Sequence, residues 1–224
     1  MTDAAVPAPL TIDIVSDAVC PWCYVGKRKL EAALALKADV PVEVRWRPYQ
    51  LDPTIPPAGL ARKDYMEKKF GSAERVMQIY ERIEAVGRDT NIPFAFGKIS
   101  RSPNTLDAHR LIRWSASAGR QDAVVEQLFK AFFEEGADIG DPVVLARIAG
   151  ESGMDEKLVR ELLASEADKE AVRAEIAEAQ RLGVTGVPFF IIGGRYAVSG
   201  AQSSDVLAKA IESALAMEGE TTAG

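Results

Sequence analysis

Two cysteines occur in the chain, and they stand together in Cys20-Pro21-Trp22-Cys23. So sparse a pair cannot staple a fold; it makes a site, or nothing. The run before it, Thr11-Ile12-Asp13-Ile14-Val15-Ser16, is β-branched and predicts a strand. The run after it places Leu30, Ala33 and Leu34 at helical spacing, with Pro21 suited to the first helical position. The pair therefore falls on a strand-to-helix turn, at the N-terminus of the helix.

The rest of the chain arranges itself around that junction. Residues 42–49 alternate apolar and polar and read as a second strand. Pro53, Pro56, Pro57 and Gly59 mark a loop over 50–60. From about Arg62 to Leu182 the periodicity is helical, with helices expected over 72–87, 105–118, 121–134, 142–150, 155–164 and 166–182. Asp141-Pro142 supplies a cap and a first-turn proline, and Gly183 a stop. Phe189 to Val198 then reads as a hairpin with Gly193-Gly194 as a two-residue turn, and 203–217 as an amphipathic helix. The Pro- and Ala-rich residues 1–9 read as a flexible arm, and the small polar tail from Glu218 as frayed. The order is strand, helix, strand, helical block, strand, strand, helix. That is an α/β chain, with one β-rich domain over 10–60 and 183–218 interrupted by a helical domain over 61–182.

Composition narrows the function. A net charge of −6 gives no positive field for a phosphate backbone, so nucleic acid is not an expected partner. No apolar run is long enough to span a bilayer, and no membrane role is expected. The first ten residues carry neither Lys nor Arg and no continuous apolar core, unlike a secretory signal, so the expected location is cytoplasmic. Thiols there are kept reduced, which fits a reactive pair better than a structural disulfide.

Thiol–disulfide exchange needs a thiolate able to attack and a second thiol near enough to close the ring. A helix N-terminus stabilises an anion through its unpaired N–H groups, and one helical turn brings the two sulfurs of Cys-x-x-Cys together. Cys20 is expected to be the exposed nucleophile and Cys23, one turn in, the buried resolving thiol. Zinc is a poor alternative: a structural site wants four ligands, and the chain offers two cysteines and the single histidine His109. No metal is expected. Lys27 and its neighbours Arg28 and Lys29 read as a solvated face. A second signal is Val184-Thr185-Gly186-Val187-Pro188-Phe189, where a proline precedes an apolar strand. Pro188 reads either as an ordinary trans proline at a strand start or as a cis proline presenting a backbone edge to the sulfurs.

Three segments carry a resemblance to a known family. They are Asp17-Ala18-Val19-Cys20-Pro21-Trp22-Cys23-Tyr24-Val25-Gly26-Lys27-Arg28, Ser102-Pro103-Asn104-Thr105-Leu106-Asp107-Ala108-His109-Arg110-Leu111, and Gly183-Val184-Thr185-Gly186-Val187-Pro188-Phe189-Phe190-Ile191. Together the chain resembles the DsbA-like thioredoxin superfamily, most closely its FrnE-type branch. The resemblance implies a thioredoxin-like fold with an inserted all-helical domain, a redox-active Cys20–Cys23 pair and a cis Pro188 beside it. The same superfamily holds 2-hydroxychromene-2-carboxylate isomerases and kappa-class glutathione transferases. Those typically carry a serine where this chain has Cys20, and they use bound glutathione.

The expected activity is therefore thiol–disulfide exchange through a mixed disulfide, with no bound cofactor. A low-molecular-weight thiol such as glutathione, or a redox partner protein, would reset the pair, and the substrate is a thiol- or disulfide-bearing protein or small molecule. Trp22, Val187 and Pro188 are expected to contact it. His109 and Asn104 are candidates for the same role. Their competing readings are a satisfied structural histidine and a helix cap. Asp13 and Asp17 read as solvated carboxylates, with a proton relay to Cys23 as the alternative. Two other functions fit the pattern: a glutathione-dependent isomerase or transferase, and a chaperone-like peptide-binding module built on the helical domain.

Overall fold

The computed structural model describes residues 9–222, with side chains described through Met217. The expected N-terminal arm therefore lies, but for its last residue, outside the described residues. A four-stranded sheet forms the frame: β1 (Leu10–Ser16), β2 (Val42–Pro48), β5 (Phe189–Ile192) and β6 (Tyr196–Ser199), in the order β2-β1-β5-β6. Strands β1 and β2 are parallel, joined by helix α1 (Pro21–Ala35), and β5 runs antiparallel to β1. Ile14 pairs with Trp46 on one side and Phe190 on the other, so β1 is central and β-branched residues serve it well.

Alternation along these strands divides the core. Ile12, Ile14, Phe190 and Ile192 share one cluster with Cys23, Leu30, Leu207 and Ile211. Helix α9 (Ser204–Thr222) packs with α1 here, and it runs to Thr222 where a frayed tail from Glu218 was expected. Val15, Phe189 and Ile191 meet Ala179 and Val184 in a second cluster. That face is covered by α8 (Lys169–Arg181). Burying each such Ile or Phe stabilises the fold by about 1.5–3 kcal/mol.

The β5–β6 loop differs from expectation. Ile192 pairs with Tyr196, so Gly193, Gly194 and Arg195 all belong to the loop, with positive φ at both glycines. A two-residue turn would have put Arg195 in the ladder; the extra residue moves Tyr196 there instead.

Between β2 and β5 the chain is mainly helical. Beside the helices expected, α2 (Arg62–Phe70) follows a two-residue strand β3 (Leu60–Ala61), which pairs with β4 (Arg101–Ser102). The α2 segment is rich in Lys and Arg and its apolar pattern is weak, which hid it from periodicity. Helix α3 (Ala73–Asp89) starts on a Ser72 cap, α4 spans Leu106–Ser117, and α5 (Gln121–Lys130) ends in a π-helical turn over Ala131–Glu135. Helices α6 (Pro142–Glu151) and α7 (Glu156–Leu163) complete the block, α6 with the expected cap: the Asp141 carboxylate accepts from Val143 N at 2.8 Å. Arg110 on α4 is fully buried and donates to the carbonyls of Leu162 (2.6 Å), Ser165 (2.9 Å) and Ala167 (2.6 Å). One guanidinium thus gathers carbonyls from the end of α7 and from the turn that follows it. The architecture is a thioredoxin-like sheet with a helical insertion.

Candidate active site

Cys20 is the N-cap residue of α1. Its backbone is extended (φ −91°, ψ 111°), Pro21 follows at the first helical position, and no side-chain oxygen caps the helix. The place that Ser or Asp would occupy is taken by a thiol, at the end of the helix whose dipole favours an anion, although no first-turn N–H bonds the sulfur. Cys23 is one turn along, its N–H donating to the Cys20 carbonyl at 3.0 Å, and the two cysteines lie 3.6 Å apart. Neither is in a disulfide. Burial pushes the Cys23 thiol well above the usual thiol range, and the neighbouring Cys20 raises it further; Ser16 and the Asp17 backbone work in the opposite direction.

The expectation of an exposed Cys20 is corrected: it is 4% exposed, against 0% for Cys23. Its sulfur turns inward onto the segment before β5, where it donates to the Val187 carbonyl at 3.5 Å. The Val187–Pro188 bond is cis. Access to Cys20 is through a cleft of about 550 Å³, whose walls include Cys20, Trp22 and Val187 and, from the helical block, Arg62, Tyr80 and Phe96. Trp22 is 40% exposed at this opening.

Pro188 does not line the cleft. It lies behind Val187, against α1, where a Cβ on Gly26 would come within 2.9 Å of Pro188 Cγ. Glycine at 26 is what lets the Pro188 loop close on the helix and set Val187 beside the sulfur.

His109 and Asn104 also lie off the cleft wall. His109 is buried, and its Nε2 donates to the Tyr49 carbonyl at 2.8 Å. Asn104 donates to the Ile55 carbonyl (2.6 Å) and accepts from Leu106 N (2.9 Å) and Gln50 Nε2 (3.1 Å). It caps the approach to α4 one residue earlier than a standard N-cap. Both side chains are spent holding the 49–55 loop, which forms one side of the cleft; direct substrate contact is not what their positions offer. Asp17 is likewise not solvated. It is 1% exposed, accepts from Leu51 N at 2.8 Å through Oδ2, and sets Oδ1 3.5 Å from His109 Nε2. Asp13 is ion-paired with Arg47 at 2.6 Å.

Pattern reading missed what fixes α1 to the helical block. Tyr24 is buried, stacks on Phe129 with centroids 5.0 Å apart, and donates to Glu134 at 2.7 Å. Burial pushes its phenol up, and the Glu134 bond adds to that. Arg28 sits over the Tyr24 ring and pairs with Glu126. Lys27, expected on a solvated face, is 4% exposed and pairs with Glu31, Asp122 and Glu126. Burial alone would lower the Lys27 ammonium, but the Glu31 bond and the nearby carboxylates hold it above its ordinary value. The sequence signal was the unbroken Tyr24–Arg28 run facing acids on α5, and one-helix periodicity cannot show a partner a hundred residues away.

A family model described as a DSBA-like thioredoxin domain matches residues 11–212. The chain belongs to that family. Among its relatives, YwbO of Bacillus subtilis (strain 168) is 31% identical over 205 residues, covering 89% of this chain and 94% of YwbO. The crystal structure of a probable DsbA oxidoreductase from Streptomyces coelicolor is 32% identical, with a TM-score of 0.85 over 92% of this chain and 90% of that one. The cytosolic disulfide reductase DsbM from Pseudomonas aeruginosa, solved with GSH, shares the fold: 20% identity, TM-score 0.63, and 95% and 100% coverage. This DSBA-like chain thus sits among oxidoreductases. No helix among its described residues is long and apolar enough to cross a membrane.

Proposed function

We propose that this chain is a dithiol–disulfide oxidoreductase in which Cys20 attacks and Cys23 resolves. The observation that carries the reading is the placement of two free thiols 3.6 Å apart at a helix start, with Cys20 on the wall of the cleft. The reduced pair acts in two steps. The Cys20 thiolate attacks one sulfur of a substrate disulfide, and the other sulfur leaves as a thiolate that takes up a proton. Cys23 then gives up its proton and attacks the Cys20 sulfur, which expels the second substrate thiolate. The Cys20–Cys23 bond has formed, the substrate bond has broken, and two electrons have passed to the substrate.

Two thiols from a small donor such as glutathione, or one dithiol partner protein, return the pair to its starting state. Run backwards, the same steps oxidise a substrate dithiol. Cys23's burial suits the resolving role, because a covered thiol reacts with a neighbouring sulfur and not with bulk oxidants. A cytoplasmic location accords with a composition that spends its only two cysteines on one site.

The test is disulfide reductase turnover on insulin with a thiol donor, for the native chain and Cys20→Ser. Native turnover that disappears in Cys20→Ser supports the mechanism. A native chain with a demonstrably reducible pair that shows no turnover, whichever thiol donor is supplied, sinks it.

A further inference from the structure

The cleft carries a charge pattern that sulfur exchange does not use. Arg62 opens α2 at the cleft wall. Its guanidinium donates to Tyr80 Oη (3.2 Å) and Ser102 Oγ (3.4 Å) and lies over the Tyr80 and Phe132 rings, 6.0 and 5.8 Å from their centroids. Among the described residues no carboxylate comes within ion-pair distance of it. Lys69 lines the same wall and bonds Tyr65 Oη at 2.9 Å. Arg82 also lines it, is exposed, and has no hydrogen-bond or ion-pair partner among the described residues. A smaller hollow next to the cleft shares Phe70, Ile79 and Arg82 with it and adds Arg75 and Gln78. Arg75, Gln78, Ile79 and Arg82 fall on one stripe of α3, so the two arginines stand two turns apart on the same face.

Several cations elsewhere are paired. Lys27, Arg28, Arg47, Arg110 and Arg113 each meet a carboxylate. The acids of α3, Glu74, Glu81, Glu84 and Asp89, line neither hollow. The same wall carries two carboxylates: Asp52, which accepts from Thr54 and from Tyr65 Oη at 3.0 Å and lies in the field of Lys69, and the buried Asp17, whose Oδ2 accepts from Leu51 N while its Oδ1 makes no hydrogen bond. A chain of net charge −6 thus presents a cationic wall at the site it reserves for its cysteines. Between the cations the wall is apolar, with Met66, Ile79, Ile83 and the Tyr80–Phe96 stack, whose centroids are 4.4 Å apart. A guanidinium resting on aromatic faces is weakly hydrated and presents planar donors, the geometry that suits a carboxylate.

We propose that the α2–α3 wall selects low-molecular-weight disulfides that carry a carboxylate on an apolar body, with Arg62 and Arg82 holding the anion while a sulfur faces Cys20. The cleft volume of about 550 Å³ takes a whole ligand of that size. The proposal rests on the disulfide chemistry proposed above and adds to it a substrate class.

The test mixes the reduced full-length chain with a matched pair of aryl disulfides, a bis(nitrobenzoate) and the neutral bis(nitrophenyl) analogue, under stopped flow. Each rate is divided by that of free cysteine with the same reagent. The carboxylate reagent is expected to be favoured by about tenfold, the scale of one charge-assisted hydrogen bond. Arg62→Gln and Arg82→Gln should each lower that ratio several-fold, and added salt should lower it too. Arg82 has no partner to lose, so Arg82→Gln keeps the test open even if Arg62→Gln fails to fold. Equal normalised rates overturn the proposal and leave the oxidoreductase reading standing. So does a preference that both variants keep. If neither reagent reacts with a confirmed dithiol, the oxidoreductase reading itself fails.

Discussion

Gly26→Ala puts the packing behind the active site to a quantitative test. A methyl at 26 would stand 2.9 Å from Pro188 Cγ and 3.3 Å from Phe190 Cζ. Carbon atoms pack best at about 3.5–4.0 Å, so the first contact must open by roughly half an ångström or more. Phe190 is fully buried in the sheet and cannot swing aside, and the Pro188 ring can relieve the contact only by a change of pucker. Overpacking of this kind costs about 1–3 kcal/mol. Against it stands a gain of about 0.5–1 kcal/mol, because alanine suits a helix interior better than glycine. The net expectation is a loss of up to about 2.5 kcal/mol, centred on about 1 kcal/mol.

Urea titration reads it directly. The midpoint should fall while the slope stays that of the native chain. Reductase turnover should fall as well, because the displaced loop carries the Val187 carbonyl that accepts from Cys20. A Gly26→Ala chain as stable as the native one, or more so, would mean that helix propensity wins and that the close approach of α1 to Pro188 constrains nothing.

Two further outcomes follow from the same geometry. Burial would raise the Glu126 carboxyl, but hydrogen bonds and charges from Arg28 and Lys27 outweigh that and bring it to about 2. A group lowered in the folded state adds stability above its unfolded value and loses it as pH falls toward the folded one. Stability should therefore decline between about pH 5 and pH 2, with at most about 3 kcal/mol from this residue and nearer 1–2 after solvent screening. Glu126→Gln should flatten that limb in urea titrations at pH 6 and pH 3, and an unchanged acid limb would refute the assignment. Cys23→Ser should accumulate a mixed disulfide on Cys20 that intact mass spectrometry detects after mixing with a small disulfide, while the native chain passes through it. Equal adduct in both would remove Cys23 from the resolving step.

The helical insertion holds α1, the helix that carries both cysteines, in place through contacts remote in sequence. Tyr24, Lys27 and Arg28 leave the first two turns of α1 and meet Phe129, Asp122, Glu126 and Glu134. The cleft wall comes from the same block, so the element that orients the cysteines also shapes the entrance to them. The Asp17 carboxylate and His109 tie the turn before Cys20 to the 49–55 loop on the other side.

Local pattern along the chain was enough to place the junction, the order of the main elements without β3, α2 and β4, and the spacing of the two cysteines. Strand and helix periodicities are local, Pro21 marks a helix start, and one helical turn fixes how near Cys20 and Cys23 must be. It also determined most of the longer helices, because their apolar faces repeat within a dozen residues. The tertiary structure alone decided what surrounds that pair. Whether Cys20 is open or covered depends on Val187, far along the chain. Whether Lys27 is solvated depends on α5, and whether His109 and Asn104 reach the cleft depends on the loop they bond instead. The cationic wall draws on Arg62, Lys69 and Arg82, spread over two helices of which one has almost no apolar period. Pairings across such separations are set by how the helices pack on the sheet, and a pattern read along one segment carries no information about the segment it will face.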